Sequence, residues 1–555
     1  MSHPASVRII VPLALLALAC ARPRSSPPPP IGALAPAESV YADLRDLRDQ
    51  LDVAAAAGRT PANDARPFGL FVTIHNELRR SVTRRLTGID SSSLGPEDAR
   101  AYGIMRGTLQ RDIDSLPPPV KSPVATPHPQ APDCAYSVAQ VSTTAFGLDS
   151  LRKRVYACYG WSQSHVVVQD DTLDRLSVLA LLGQVENEDR RRQLFFALEP
   201  VWRSVNRDNG PESPYRRLIA LEVRQRNPRR VADQVRASGV SPDSLEPWLL
   251  AILTAWRHAG PDSLAEPWNW FYANGGTSRA LGSRIPREQL TQLNARVYRS
   301  LGADPERLGV QYDLEPREGK TPVAYTTFGL RPRLIDGSWR AGRPWVFATY
   351  RTGGLDNLNE LLHETGHAVH IAAIRTRPAF ADWPDSDPFT EAVADLMALE
   401  VYEPTWQQHW LGDSVPLAVG LRSRYGGIVL DVAWAIFELR MLRQPAADPN
   451  QVWTALVRDY LRIRPHPELS WWAMRGQLID APGYMMNYAV GAMISAAIRA
   501  RTRALHPRAD STWYGWIAPR LYRYGLERPT REVLEQFLGG PVGVGPLLED
   551  MRRME

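Results

Sequence analysis

The segment Asn357-Leu-Asn-Glu-Leu-Leu-His363-Glu364-Thr-Gly-His367-Ala-Val-His370 decides how the chain is read. Residues four apart share one face of a helix, so His363 and His367 present two imidazoles to a common point. Glu364 lies one residue further round, where it reaches a water bound to a metal ion rather than the ion itself. Leu358, Leu361, Leu362 and Val369 supply the apolar surface that buries such a helix in a core. The bland alternative is a chance H-E-x-x-H on a structural helix. In a chain of 555 residues with 11 histidines, its odds are on the order of one in a hundred.

A catalytic zinc takes three protein ligands and keeps one position open. The third candidate stands in Phe389-Thr-Glu391-Ala-Val-Ala-Asp395-Leu-Met-Ala-Leu-Glu400. Asp387-Pro388 reads as a helix N-cap followed by proline at the first helical position. On that helix Glu391 and Asp395 share a face, with Glu391 as metal ligand and Asp395 as acceptor for the second ring N–H of a ligand histidine. A merely solvated carboxylate pair is disfavoured by its Ala-Val and Leu-Met-Ala-Leu surroundings. His370, two turns beyond His363, would close the open position if it ligated, so it is assigned to the metal's surroundings or the substrate cleft. His409, His466 and His506 have no spacing partners. The implied cofactor is one Zn2+ per chain.

Working outward, Val323–Phe328, Arg333–Ile335 and Pro344–Tyr350 are short β-branched or aromatic runs separated by turn residues such as Asp336-Gly337. They predict one small antiparallel sheet next to the zinc helix. The end of its last strand, at Thr349, is a candidate for pairing with a substrate backbone. Elsewhere the periodicity is helical: from Glu38 to Leu116, Leu173 to Val185, Arg191 to Val205, around Tyr215–Arg224, Pro247–Trp256 and Arg287–Leu301, and almost throughout after the sheet. Seven prolines between Pro117 and Pro132 mark a loop or boundary. The fold class expected is mainly α.

The N-terminus carries a different signal. Arg8 precedes an apolar run from Ile9 to Ala19, too short to span a bilayer and shaped like a signal peptide. Cys20 follows Ala-Leu-Ala in a pattern that resembles the lipobox of bacterial lipoproteins; a plain signal peptide with an incidental cysteine is the alternative. The Ser/Pro-rich stretch through Pro30 suits a tether. Residues 1–19 are thus read as signal peptide, 20–37 as tether, 38–320 as a helical N-terminal region and 321–555 as a catalytic region. The expected location is the periplasm or the outer membrane, held by lipid on Cys20. Cys134 and Cys158 are either a disulfide, as an exported chain permits, or two free thiols. The net charge of +5 is mild, and Arg190-Arg191-Arg192 follows Glu186, Glu188 and Asp189 as on a solvated helix face. No nucleic-acid partner is expected.

His-Glu-Thr-Gly-His with Glu391 placed 24 residues after His367 resembles the glutamate-zincin peptidases. The likeness is to the angiotensin-converting-enzyme-like and the thimet-oligopeptidase and oligoendopeptidase F-like groups. The resemblance runs from Arg343 to Val401, with a weaker echo in Arg475-Gly-Gln477-Leu-Ile-Asp-Ala-Pro-Gly-Tyr484-Met-Met-Asn-Tyr488. It implies a helical ellipsoid with a deep central channel that admits short unstructured peptides, cut by an oligopeptidase or a dipeptidyl carboxypeptidase. By the same resemblance Tyr488 is the oxyanion donor, and Tyr484 and Arg475 are candidates for the substrate's carboxylate. The tyrosines are four apart where the pattern has three, and Gln477 stands where it has histidine. A non-catalytic, lipid-anchored peptide-binding protein on the same scaffold is the rival reading; it usually lacks a ligand or the base, and here all are present.

Overall fold

The leucine and alanine periodicity after Glu38 folds as three helices rather than one run, Ala35–Ala56 (α1), Ala65–Thr87 and Pro96–Arg111. The structure, a computed structural model, describes residues 32–57, 65–111, 131–225, 227–317, 320 and 323–555. The expected signal peptide, Cys20, most of the tether and most of the proline-rich stretch lie outside these residues. Among the described residues no helix is long and apolar enough to cross a membrane.

The three N-terminal helices share a small core of their own, including Leu34, Tyr41, Leu44, Val82, Leu86 and Met105, closed by Ala379 and Phe380. Charge fastens this unit to the rest. Arg331, 5% exposed, donates from Nε and Nη2 to Asp49 at 2.7 and 3.1 Å and from Nη1 to the Ala381 carbonyl, while its backbone N–H donates to Asp46. Arg377 gathers Glu38, Glu97 and Asp98 in the same way.

A second, continuous core takes in buried residues from Val138 to Met551 and runs across residue 320 without a break. Helices between Ala145 and Ser300 build its first half. Arg175–Gln184, Pro214–Arg224 and Leu290–Ser300 fall close to where the periodicity places them, the helix expected from Pro247 begins earlier, at Pro242, and Ala145–Ser164 and Asn227–Ala237 match no expected run. The stretch after Arg191 divides into Glu188–Ala197 and Glu199–Asn206, because Pro200 starts a new helix. Cys134 and Cys158 are disulfide-bonded, which ties the incoming segment to helix Ala145–Ser164.

Between the halves lies the sheet. Gln311–Asp313 (β1), Tyr325–Leu330 (β2) and Arg343–Phe347 (β3) form it in the order β1-β3-β2. It is mixed rather than antiparallel: β1 runs parallel to β3, and β2 antiparallel to it. At three residues β1 is too short to show a period, so sequence pattern misses it. Arg333–Ile335 does not join this sheet; it pairs with Ser338–Arg340 in a separate hairpin. That hairpin turns on Asp336 and Gly337 at φ +48° and +76°, the two left-handed residues a tight two-residue turn needs. Because β3 is central, both its edges are occupied, and Thr349 lies beyond its end. The sheet's two edges are β1 and β2; of these β2 borders the cavity, whose wall does not include Thr349.

After the sheet come Leu355–Ala373 (α2), Asp387–Ala398 (α3), Leu417–Arg443 (α4) and Met485–Leu505 (α5), with α3 packed against both α2 and α5. Tyr312 of β1 meets the Thr365 hydroxyl at 3.1 Å, and Tyr298 donates to the Leu362 carbonyl, which seats α2 on the sheet and on the preceding helices. α2 and α3 approach through Gly366. A Cβ there would stand 2.7 Å from the Ala394 carbonyl oxygen and 2.8 Å from its Cα. Gly366→Ala is expected to cost on the order of 1–3 kcal/mol, as overpacking against backbone does, whereas Gly427→Ala on the open face of α4 is expected to stabilise by about 0.5–1 kcal/mol. Urea unfolding of the two variants checks this.

Candidate active site

Helix periodicity and one close helix crossing assemble the site. α2 contributes His363, Glu364 and His367, α3 contributes Glu391 and Asp395, and the start of α5 brings Tyr484 and Tyr488. α3 begins one residue earlier than the sequence suggests. Its N-cap is Ser386, whose hydroxyl accepts from the Phe389 N–H, so Asp387 is released from capping and lines the cavity instead. The cavity has a volume of about 330 Å³. Ala324, Tyr325 and Thr326 from the sheet wall one side, and Trp383, Thr390 and the two tyrosines wall the other.

His363, His367 and Glu391 each place one donor atom in a cluster whose members lie within 4.8 Å of one another. His363 Nε2 and Glu391 Oε2 are 3.5 Å apart. Two atoms each about 2.0–2.1 Å from a tetrahedral ion would stand roughly 3.3 Å apart, so this edge already has the span a zinc requires. His363 Nδ1 meets Asp395 Oδ1 at 2.7 Å, which turns Nε2 toward the cluster. Burial pulls the His363 pKa down, but Asp395 and Glu391 together hold it well above the ordinary value. For His367, burial and then the neighbouring His363 and His370 push the pKa well below the ordinary value, so its ring is neutral, the form that ligates. Two imidazole nitrogens and a carboxylate at this spacing fit zinc, with His363 giving up its extra proton as the ion binds.

Glu364 is 6% exposed. Burial, opposed by His363 and then by the Thr326 hydroxyl and reinforced by Glu391, pushes its pKa up to about 7. Thr326 Oγ1 lies 2.7 Å from Glu364 Oε2 and 2.8 Å from the Glu364 carbonyl, so β2 fixes the carboxylate's position. One turn earlier Glu360 is half-buried, and its loss of water contact and then Glu364 raise its pKa to about 7. Tyr484 donates to Glu391 Oε1 at 3.1 Å. Tyr488 accepts from Gln477 Nε2 at 3.2 Å, which leaves its own proton to donate. Burial and Glu391 hold both phenols above their usual range, hence protonated.

The remaining expected residues are placed elsewhere. Arg475 forms an ion pair with Asp431, lies over the Trp434 ring and does not line the cavity. His370 is fully buried among Trp383, Phe389 and Tyr522, both ring nitrogens lack partners, and burial lowers its pKa to about 3. It packs behind the cavity wall at Trp383 and reaches neither the metal cluster nor the cleft. Thr349 is likewise absent from the wall. Sequence reading missed Thr326, Trp383 and Glu438. Glu438 of α4 accepts from the N–H groups of Gly483 and Met485 at 2.8 and 2.9 Å and so fixes the backbone on either side of Tyr484. Its place in the middle of the apolar Ala-Ile-Phe-Glu-Leu run was the available signal.

No family model matches the chain, and no curated protein matches it. Solved structures do. An M32 carboxypeptidase from Deinococcus radiodurans R1 is 15% identical with a TM-score of 0.50, over 94% of this chain and 98% of that one. PZ peptidase A, solved with an inhibitor, is 14% identical with a TM-score of 0.55, over 93% of this chain and 97% of that one. At such identities the likeness is one of fold, and it extends over nearly the whole of each chain.

Proposed function

We propose that the chain is a zinc-dependent metallopeptidase that hydrolyses short, unstructured peptides. The observation that carries this reading is the convergence of His363, His367 and Glu391 in one cavity with a buried carboxylate, Glu364, beside them. The fold's likeness to a carboxypeptidase and a peptidase agrees with it.

A zinc ion held by these three residues would polarise the scissile carbonyl and acidify the attacking water. Glu364, held by Thr326, takes the water's proton and delivers it to the departing amine, general base and then general acid. A carboxylate whose pKa sits near 7 suits both halves of that task. Tyr488 donates its phenolic proton to the oxygen that gains charge. Tyr484 is bound to Glu391 and serves to orient it. Substrate backbone lies along β2 at Ala324–Thr326, the sheet's edge on the cavity, as an added strand. With Arg475 committed to Asp431, the carboxylate-anchoring role assigned to it by resemblance is not carried into this proposal. The proposal also places the enzyme outside the cytoplasm, anchored through Cys20; the Cys134–Cys158 disulfide supports an oxidising compartment.

Glu364→Gln is expected to lower the cleavage of a mixed pool of short peptides about 10²–10⁴-fold while metal content stays at one zinc per chain. Mass spectrometry of the products separates internal cutting from release at a terminus. Equal cleavage by both proteins removes Glu364 from the mechanism. Because the base works ionised, kcat/KM should fall as pH drops through the Glu364 pKa. That acidic limb should lie at or below pH 7, since a cation beside the carboxylate lowers the value that burial has raised. Asp395→Ala removes the acceptor that aims His363 and should weaken zinc binding about 10–100-fold, read by competition with a chromogenic chelator.

A further inference from the structure

The helix that carries Glu391 has a second face. Leu396 and Met397, with Glu400 just past the end of α3, turn away from the metal cluster and line a cavity of about 500 Å³. That volume is in the range of sites that enclose a small organic ligand. Three tryptophans, Trp406, Trp410 and Trp513, give it broad flat walls.

Its charged side is built of arginine. Four guanidinium groups, on Arg424, Arg499, Arg503 and Arg553, are shared among three carboxylates, Glu400, Glu403 and Asp550. One positive charge is therefore left over, and the two arginines on the cavity wall are Arg499 and Arg503. Arg499 is 5% exposed. Its Nε and Nη2 donate to Glu400, while the buried Nη1 has no acceptor. Thr502, three residues on and also in the wall, has a buried hydroxyl with no partner. The guanidinium groups thus outnumber the carboxylates, and Arg503, with half of its side chain exposed on the cavity wall, is the charge a ligand can reach, so the wall favours an anion.

We propose that this cavity is a second ligand site, separate from the metal cluster, for a small aromatic carboxylate whose ring lies among the tryptophans and whose charge meets Arg499 and Arg503. Rings stacked on indole faces supply the apolar part of such recognition, and a guanidinium and a carboxylate form charge-assisted hydrogen bonds.

The test is calorimetric titration of the full chain with indole-3-acetate and, in parallel, with tryptamine, which has the same ring and the opposite charge. Indole-3-acetate should bind at one site, with tryptamine at least tenfold weaker. Ala509→Trp fills the cavity from an exposed turn at its rim, and Arg503→Gln removes a half-exposed charge from its wall; each should weaken indole-3-acetate at least tenfold. Should one of these variants fail to fold by circular dichroism, the other decides. Absence of saturable binding, equal affinity for tryptamine, or binding undiminished in a folded variant overturns the proposal. Binding is read here without turnover, so the outcome is independent of the peptidase reading.

Discussion

The closeness of three helices at two glycines governs the site. Gly366 lets α2 lie against the backbone of α3 at Ala394, and Gly491 lets α5 lie against α3 at Pro388 and Glu391. A metal site tolerates errors of a few tenths of an ångström in its ligand atoms. His363 and Glu391 come from different helices, so the separation of those helices is the separation of the ligands. A side chain at either glycine would move the carboxylate away from the imidazoles. The second contact also carries the tyrosines of α5 to the cavity, where Tyr484 reaches Glu391.

Burial then does the electrical tuning. Away from water, charges act on one another over short distances with little screening. Asp395 aims one histidine, burial and the neighbouring His363 and His370 keep the His367 ring neutral, and Glu364 is held between its charged and uncharged forms by burial, His363 and Thr326. The backbone around Tyr484 is held by Glu438, itself buried and lifted to about 8 by that burial. His367 Nδ1, by contrast, is buried without a hydrogen-bond partner.

The sequence announces the ligands because helical period translates spacing into shared faces: His363 with His367, Glu391 with Asp395. Mainly helical architecture was legible for the same reason, over long periodic runs. What was illegible is what depends on distant partners. β1 has only three residues, so its strand nature exists only in its pairing with β3. The mixed topology, with β2 as the edge beside the cavity, follows from that pairing. Arg475 is charged and suitably spaced, but Asp431, 44 residues away, captures it. Ser386 outcompetes Asp387 for the cap by one residue, a margin that spacing does not resolve. The arginine-lined cavity behind α3 is assembled from well-separated segments and leaves no contiguous motif.

The most direct measurement is zinc titration of peptide cleavage in the full chain after chelation. The metal-free protein should be inactive, and activity should rise in proportion to bound zinc and level off at one equivalent. Cleavage that persists without metal, or one equivalent of tightly bound zinc with no cleavage of any peptide in a mixed pool, would contradict the account.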